Sequence, residues 1–191
     1  MIHILDIPET AEKQDFGYIA TEKEYSNYRI RLEYRWGKKR FAPRADSVRD
    51  SGLLYHFVGP DKVWPRMVEC QIQEGDTGDI WIVDGVTITT AVSAKENPKY
   101  TPGGMEHTQT DGRIIKSGTF ENDGWNTVEV LVEGALGTHT VNGQVNNRAW
   151  NIKQPDPKNP KGLIPLTRGR ICIQAEGAEV FYRNIRIRPL K

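Results

Sequence analysis

The chain has 191 residues, with 26 Lys and Arg against 25 Asp and Glu and a formal net charge of +1. That length suits a single domain spanning residues 1–191, large enough to bury a core without disulfide or metal staples. The near-neutral balance argues against a nucleic-acid-binding protein, and no run approaches the ~20 apolar residues of a membrane helix.

The opening "MIHILDIPETAEKQ" lacks a basic n-region, a sustained apolar stretch and a small-residue cleavage site, so it does not read as a secretory signal. Within it "TAEKQ" holds a turn at most. In "YRIRLEYRW", Tyr28, Ile30, Leu32 and Tyr34 alternate with Arg29, Arg31, Glu33 and Arg35. This is the period of a half-buried strand. "SGLLYHF", "MVECQIQ", "DIWIVDGVTITTAV", "NTVEVLVEG", "GTHTVNG", "GRICIQA" and "AEVFYRNIRIRPL" follow, separated by Gly, Pro and Asn turn chemistry. Short strands between turns predict an all-β antiparallel sandwich or barrel.

Three segments fit no strand in this reading. Residues 36–50 form a basic loop, and residues 93–124 form a long excursion with one short strand at Arg113–Ser117. Residues 144–168 contain "KQPDPKNPKG", which is too proline-rich for regular structure. No repeat or linker divides the chain.

Period two also assigns faces. Ile30, Leu32, Val68, Ile72, Val128, Val130, Ile171 and Ile173 are the predicted core, and a one-residue slip would instead bury Glu69, Gln71 and Gln73. Cys70 shares the parity of Val68 and Ile72, and Cys172 lies in a second apolar run, so both read as buried thiols. The outer row Glu69, Gln71 and Gln73 suits the lining of a polar groove.

"DSGLLYHF", "VECQIQEGDTGDIW", "DGWNTVEVLVEG", "HTVNG" and "GRICIQAEGAEVFYRNIRIRPL" occur in the order expected of the 3-keto-disaccharide hydrolase domain family. The resemblance runs from about Phe16 to Leu190. It implies a concanavalin A-like jelly-roll sandwich of two curved antiparallel sheets, with a carbohydrate groove on the inner sheet. Family members are often exported. Two positions depart from the family pattern: Asp50 stands where an Asn commonly precedes the Ser-Gly, and His56 where an Arg is common.

Against that background Glu69 is the leading candidate for proton transfer, since partial burial among Gln71, Gln73 and Trp81 raises a carboxyl pKa. The plainer alternative is a solvated or salt-bridged Glu. His56 is a candidate proton shuttle, with an ordinary pKa of ~6.5, although its strand face is ambiguous. Arg49 is a candidate for stabilising an enolate, ahead of Arg44, Lys38 to Arg40 and Lys116. His107 in the long loop is a weaker candidate, and His139 reads as structural. Gln71, Gln73, Trp81, Glu33 and Gln174 are the expected substrate contacts. Trp81 is preferred among the five tryptophans because it follows the polar strand and a tight turn.

No certain cofactor is implied. "EGDTGD" lacks the calcium-loop pattern, no His or Cys cluster has zinc spacing, and a divalent ion remains one option for holding an enolate oxygen. The resemblance implies cleavage of 3-keto glycosides. C2 proton abstraction, departure of the C1 substituent and hydration of the enone give net hydrolysis. The alternative from another class is a non-catalytic carbohydrate-binding domain, and a third is an adhesion or scaffolding domain.

Overall fold

The structure is a computed structural model that describes residues 1–8, 10 and 13–190. Of the expected "TAEKQ" turn, Thr10 lies in a turn, while residues 11 and 12 lie outside the described residues. In chain order the strands are β1 (Ile2–Ile4), β2 (Gly17–Ala20), β3 (Asn27–Arg40), β4 (Asp50–Val58), β5 (Arg66–Gln73), β6 (Ile80–Val92) and β7 (Met105–Ile114). They continue with β8 (Asn126–Glu133), β9 (Gly137–Val141), β10 (Gln144–Asp156), β11 (Asn159–Pro165), β12 (Arg170–Ala175) and β13 (Ala178–Pro189). The described residues contain no helix long and apolar enough to cross a membrane.

All strand pairings are antiparallel, in the order β1-β13-β3-β8-β9-β10-β6-β5-β4-β12-β2. β11 pairs with β10, and β7 with β6. Where the sequence predicts two sheets, the hydrogen-bond ladder is continuous. β10 pairs with β9 through its first half and with β6 and β11 through its second, with register shifts on the way. Bulges of this kind bend a strand, and the sheet curls so that its two halves share one core.

That core contains all eight predicted residues, from Ile30 and Leu32 of β3 to Ile171 and Ile173 of β12. Full burial of each such side chain contributes about 1.5–3 kcal/mol. Hydrogen bonds join the halves: Ser51 Oγ of β4 meets Tyr182 Oη of β13 at 2.7 Å, and Tyr55 Oη of β4 meets His139 Nε2 of β9 at 3.1 Å. His139 is therefore part of the core, its other ring nitrogen lying 3.2 Å from the Gly78 carbonyl. Cys70 and Cys172 are both buried free thiols.

The three segments read as loops are partly strand. β3 continues through Trp36 and Arg40 because β13 pairs with them, leaving residues 41–49 as the connection. Met105–Ile114 is a full strand against β6. As an outer strand with one fully buried residue, Ile114, it shows no apolar alternation. The proline-rich segment is the β10–β11 hairpin. Among the described residues β11 pairs only with β10, and on such an edge a proline's missing N–H costs no ladder bond.

Candidate active site

β5 carries core and cleft on opposite faces. Val68, Cys70 and Ile72 are fully buried in the core, so Glu69, Gln71 and Gln73 turn the other way and line a cleft of about 340 Å³. Residues opposite each other across an antiparallel ladder share a face. Asp50 lies opposite Gln73, Gly52 opposite Gln71 and Leu54 opposite Glu69, while Trp81 of β6 flanks Glu69 on the other side. On β12, Cys172 is opposite Leu54, which puts Gln174 on the cleft face. Val83 of β6, Glu176, Arg44 from the β3–β4 loop and Trp64 from the β4–β5 loop complete the lining.

Three carboxyl groups meet here with one cation. Arg44 Nη2 lies 2.7 Å from Asp50 Oδ2, and Nη1 lies 3.3 Å from Glu176 Oε1. Gln71 Nε2 donates to Asp50 Oδ1 at 2.9 Å. In the amide orientation that satisfies its neighbours, Gln174 Nε2 donates to Glu69 Oε1 and Glu176 Oε2, each at 3.2 Å. Glu69 is 3% exposed, and burial, with the Asp50 and Glu176 charges, holds its pKa well above the usual carboxylate range. Burial and Glu176 push Asp50 up to about 8 against the opposing pull of Arg44. Burial also raises Glu176, again offset by Arg44. One arginine cannot balance three carboxylates in a partly enclosed space, so protonation of the group is favoured and the titrations of its members are coupled.

Gly52 makes room for this arrangement. A Cβ there would run into Glu69 Oε1 and lie 3.0 Å from the Gln174 amide. Only a residue without a side chain lets the Glu69 carboxyl fold across β4.

The other predicted site residues lie elsewhere. His56 adopts a left-handed backbone (φ 54°), at a register shift in the pairing of β4 with β5. The extra residue puts Leu54 and Phe57 in the same apolar cluster. The His56 ring turns away and bonds the Gly134 carbonyl at 2.9 Å, and burial lowers its pKa to about 4. Arg49 is occupied by Glu74, with Nη2 2.6 Å from Oε1, and by the Gly37 carbonyl at 2.8 Å. Glu33 belongs to the other half of the sheet, where it accepts bonds from Arg183 at 2.7 Å and Asn184 at 2.9 Å. His107 contacts Gln109, and Lys116 pairs with Asp76.

The sequence alone places Arg44 behind Arg49, marks Asp50 only as a departure from the family pattern and does not single out Glu176. Glu176 follows Gln174 by two residues, so the parity that marks one marks both. The Asp residues of "EGDTGD" are taken up by Arg113 and Lys116. Among the described residues, no group of three or more His, Cys, Asp or Glu side chains is arranged to hold a metal ion.

A curled β-sheet carrying a cleft of carboxyl groups, amides and indoles is the frame of a carbohydrate-related domain family. The chain belongs to the 3-keto-alpha-glucoside-1,2-lyase-like domain family, which it matches over residues 1–188. No curated protein matches it. Among solved structures, it is similar to a proposed glycosyl hydrolase from Parabacteroides distasonis, at 19% identity and a TM-score of 0.58, covering 92% of this chain and 84% of that one. A second proposed glycosyl hydrolase from the same organism gives 20% identity and a TM-score of 0.53, covering 90% and 76%. The carbohydrate-binding module CBM66 from Bacillus subtilis gives 8% identity and a TM-score of 0.52, covering 91% and 81%. At these identities the likeness is one of fold.

Proposed function

We propose that the curled sheet is a concanavalin A-like jelly roll and that its cleft is the active site of an enzyme cleaving 3-keto glycosides. A ketone at C3 acidifies the C2 proton, because the resulting carbanion delocalises into an enolate. Asp50 in its ionised form takes that proton, and a carboxyl group with a pKa of about 8 exchanges protons near neutrality. The C1–O bond then breaks as Glu69, which is held protonated, donates to the leaving oxygen. The products of this half are an enone and an alcohol. Addition of water across the enone completes a net hydrolysis and returns the protons. Arg44 offers its guanidinium to the enolate oxygen, and Gln71 and Gln73 hold hydroxyls.

The observation that carries this reading is the cluster of Asp50, Glu69 and Glu176 against Arg44 alone. A non-catalytic sugar binder needs hydrogen bonders and stacking faces but no proton-holding trio. The test is to incubate the protein with matched glucosides, 3-keto and unoxidised, and follow release of the aglycone. Release from the 3-keto forms alone supports the proposal. Release from neither form, with sugar binding intact, supports the binder instead.

A further inference from the structure

The cleft is polar at one end and apolar at the other, and the change follows the ladder. Asp50 and Gln73 form one cross-strand row, with Gln71 in the next. The row after that holds Leu54, Glu69 and Trp81. Beyond it, Met67 and Val83 face each other. Glu69 therefore stands where polar rows give way to apolar ones.

The apolar end is built up from below and from the side. Leu54, Met67, Phe57 and Cys172 form a separate buried cluster on this face, with Tyr18 and Val83 packed against it. Trp64 rises from the β4–β5 loop, 39% exposed, with Phe16 edge-on to it at 6.3 Å. Polar groups around this end are already matched to one another. Tyr18 Oη donates to Asp61 at 3.0 Å, and Arg170 Nη2 lies 2.5 Å from the same carboxylate. Lys62 and Arg66 both pair with Asp84. A second sugar placed here would find few free partners for its hydroxyls, and each unpaired hydroxyl weakens binding.

We infer that Trp64, Trp81 and Val83 form a leaving-group subsite for an apolar ring, so that the protein prefers glycosides of apolar aglycones to disaccharides. This rests on the reading of the cleft as a 3-keto glycoside site. The sugar ring lies on Gln71, Gln73 and Asp50, the bond to be broken lies at Glu69, and the aglycone stacks beyond it. Glu69 at the polarity boundary is also where a proton donor to the leaving oxygen belongs.

Binding tests the subsite apart from catalysis. Unoxidised phenyl, cyclohexyl and methyl glucosides and a glucosyl-glucose disaccharide of the same anomer are titrated against the intact chain by tryptophan fluorescence. The phenyl and cyclohexyl glucosides should bind roughly 10–200-fold more tightly than the disaccharide, the range a hydrophobic pocket affords. Trp64→Ala should reduce that preference to about threefold, and Val83→Thr, which adds a hydroxyl at nearly constant size, should narrow it. Equal or tighter binding of the disaccharide overturns the inference, as does an equal loss for all ligands in both variants. Turnover is then compared for the 3-keto forms of the cyclohexyl glucoside and the disaccharide, whose leaving groups are both alkoxides. Apolar preference in binding without any cleavage upholds the subsite and removes the catalytic reading. Cleavage without apolar preference does the reverse.

Discussion

Two acidic clusters flank β5 and differ in how their charge is matched. Asp76 and Asp79, in the turn after the strand, meet two cations. Arg113 pairs with both, and Lys116 Nζ lies 2.9 Å from Asp76 and 3.9 Å from Asp79. Among the described residues, Asp50, Glu69 and Glu176 meet Arg44 alone. Gln73, donating to Asp76 Oδ2 at 3.0 Å, stands between the clusters. In the first, burial raises Asp79, while Lys116 and Arg113 outweigh burial at Asp76 and lower it. In the second, all three carboxyl groups are raised. A matched cluster ties the turn to β7 with its charges. An unmatched one keeps protons, and proton transfer needs a group that can give one up.

The largest expected effect is on turnover. Glu69→Gln keeps the shape and the hydrogen-bonding capacity but removes the exchangeable proton, so cleavage of a 3-keto glycoside should fall by about 10²–10⁴-fold. Sugar affinity should change little. Asp76→Asn, in the matched cluster, should leave turnover within a few-fold. Equal losses in the two variants would erase the distinction between the clusters.

Stability should respond the other way. Asp79 is fully buried and accepts the Lys116 backbone N–H at 2.8 Å. Asp79→Ala strands Arg113 and the largely buried Lys116 with one carboxylate between them. Breaking a buried pair in this way costs about 3–5 kcal/mol, read as a lower urea midpoint at unchanged slope.

Gly52→Ala comes next. The new methyl group displaces the Glu69 carboxyl and the Gln174 amide, and a shift of ~1 Å in a reacting group costs about 10²-fold. Turnover should fall by that order while the fold persists, checked by kcat alongside the circular dichroism spectrum.

A smaller effect appears in the pH dependence of stability. Asp50 has a folded pKa of about 8, above its ordinary value. The folded state thus binds more protons than the unfolded one across that interval, and stability declines as pH rises through it. Asp50→Asn removes the share of the decline that Asp50 contributes. At pH 9 the variant should be more stable than the parent by about 0.5–2 kcal/mol, the usual gain from a single stabilising substitution. Near pH 4 the two should converge. Denaturant melts at both values check the sign.

Much of the fold is legible in period two. Val68, Cys70 and Ile72 against Glu69, Gln71 and Gln73 is a pattern only one register satisfies, and the structure places the first three in the core and the second three in the cleft. Alternation reports a face, but not which half of a curled sheet the face belongs to. That is why Glu33, outward-facing as read, lies far from the cleft residues in the ladder order. Nor does alternation survive a bulge, and His56 sits on one. β7 and β11 escaped notice because edge strands bury too little to leave a pattern. Arg44 and Trp64 come from connections whose path depends on the folded sheet beneath them.

Arg44 and Arg49 provide the smallest contrast, since both come from the segment before β4. Arg49 is spent on Glu74, in a pair whose side chains are 24% and 36% exposed, with its guanidinium 5.7 Å from the Trp36 ring. Partly exposed pairs of this kind contribute about 0.2–1 kcal/mol. Arg49→Gln should therefore cost that much stability and leave turnover within about twofold. Among the described residues Arg44 is the only cation paired with the three raised carboxyl groups, so Arg44→Gln should shift the pH–rate profile toward higher pH, because Asp50 and Glu176 lose the charge that lowers their pKa values. An unmoved profile in Arg44→Gln, or a moved one in Arg49→Gln, would mean that charge matching does not separate the two arginines, and the assignment of the proton-carrying cluster would have to be redrawn around Glu74.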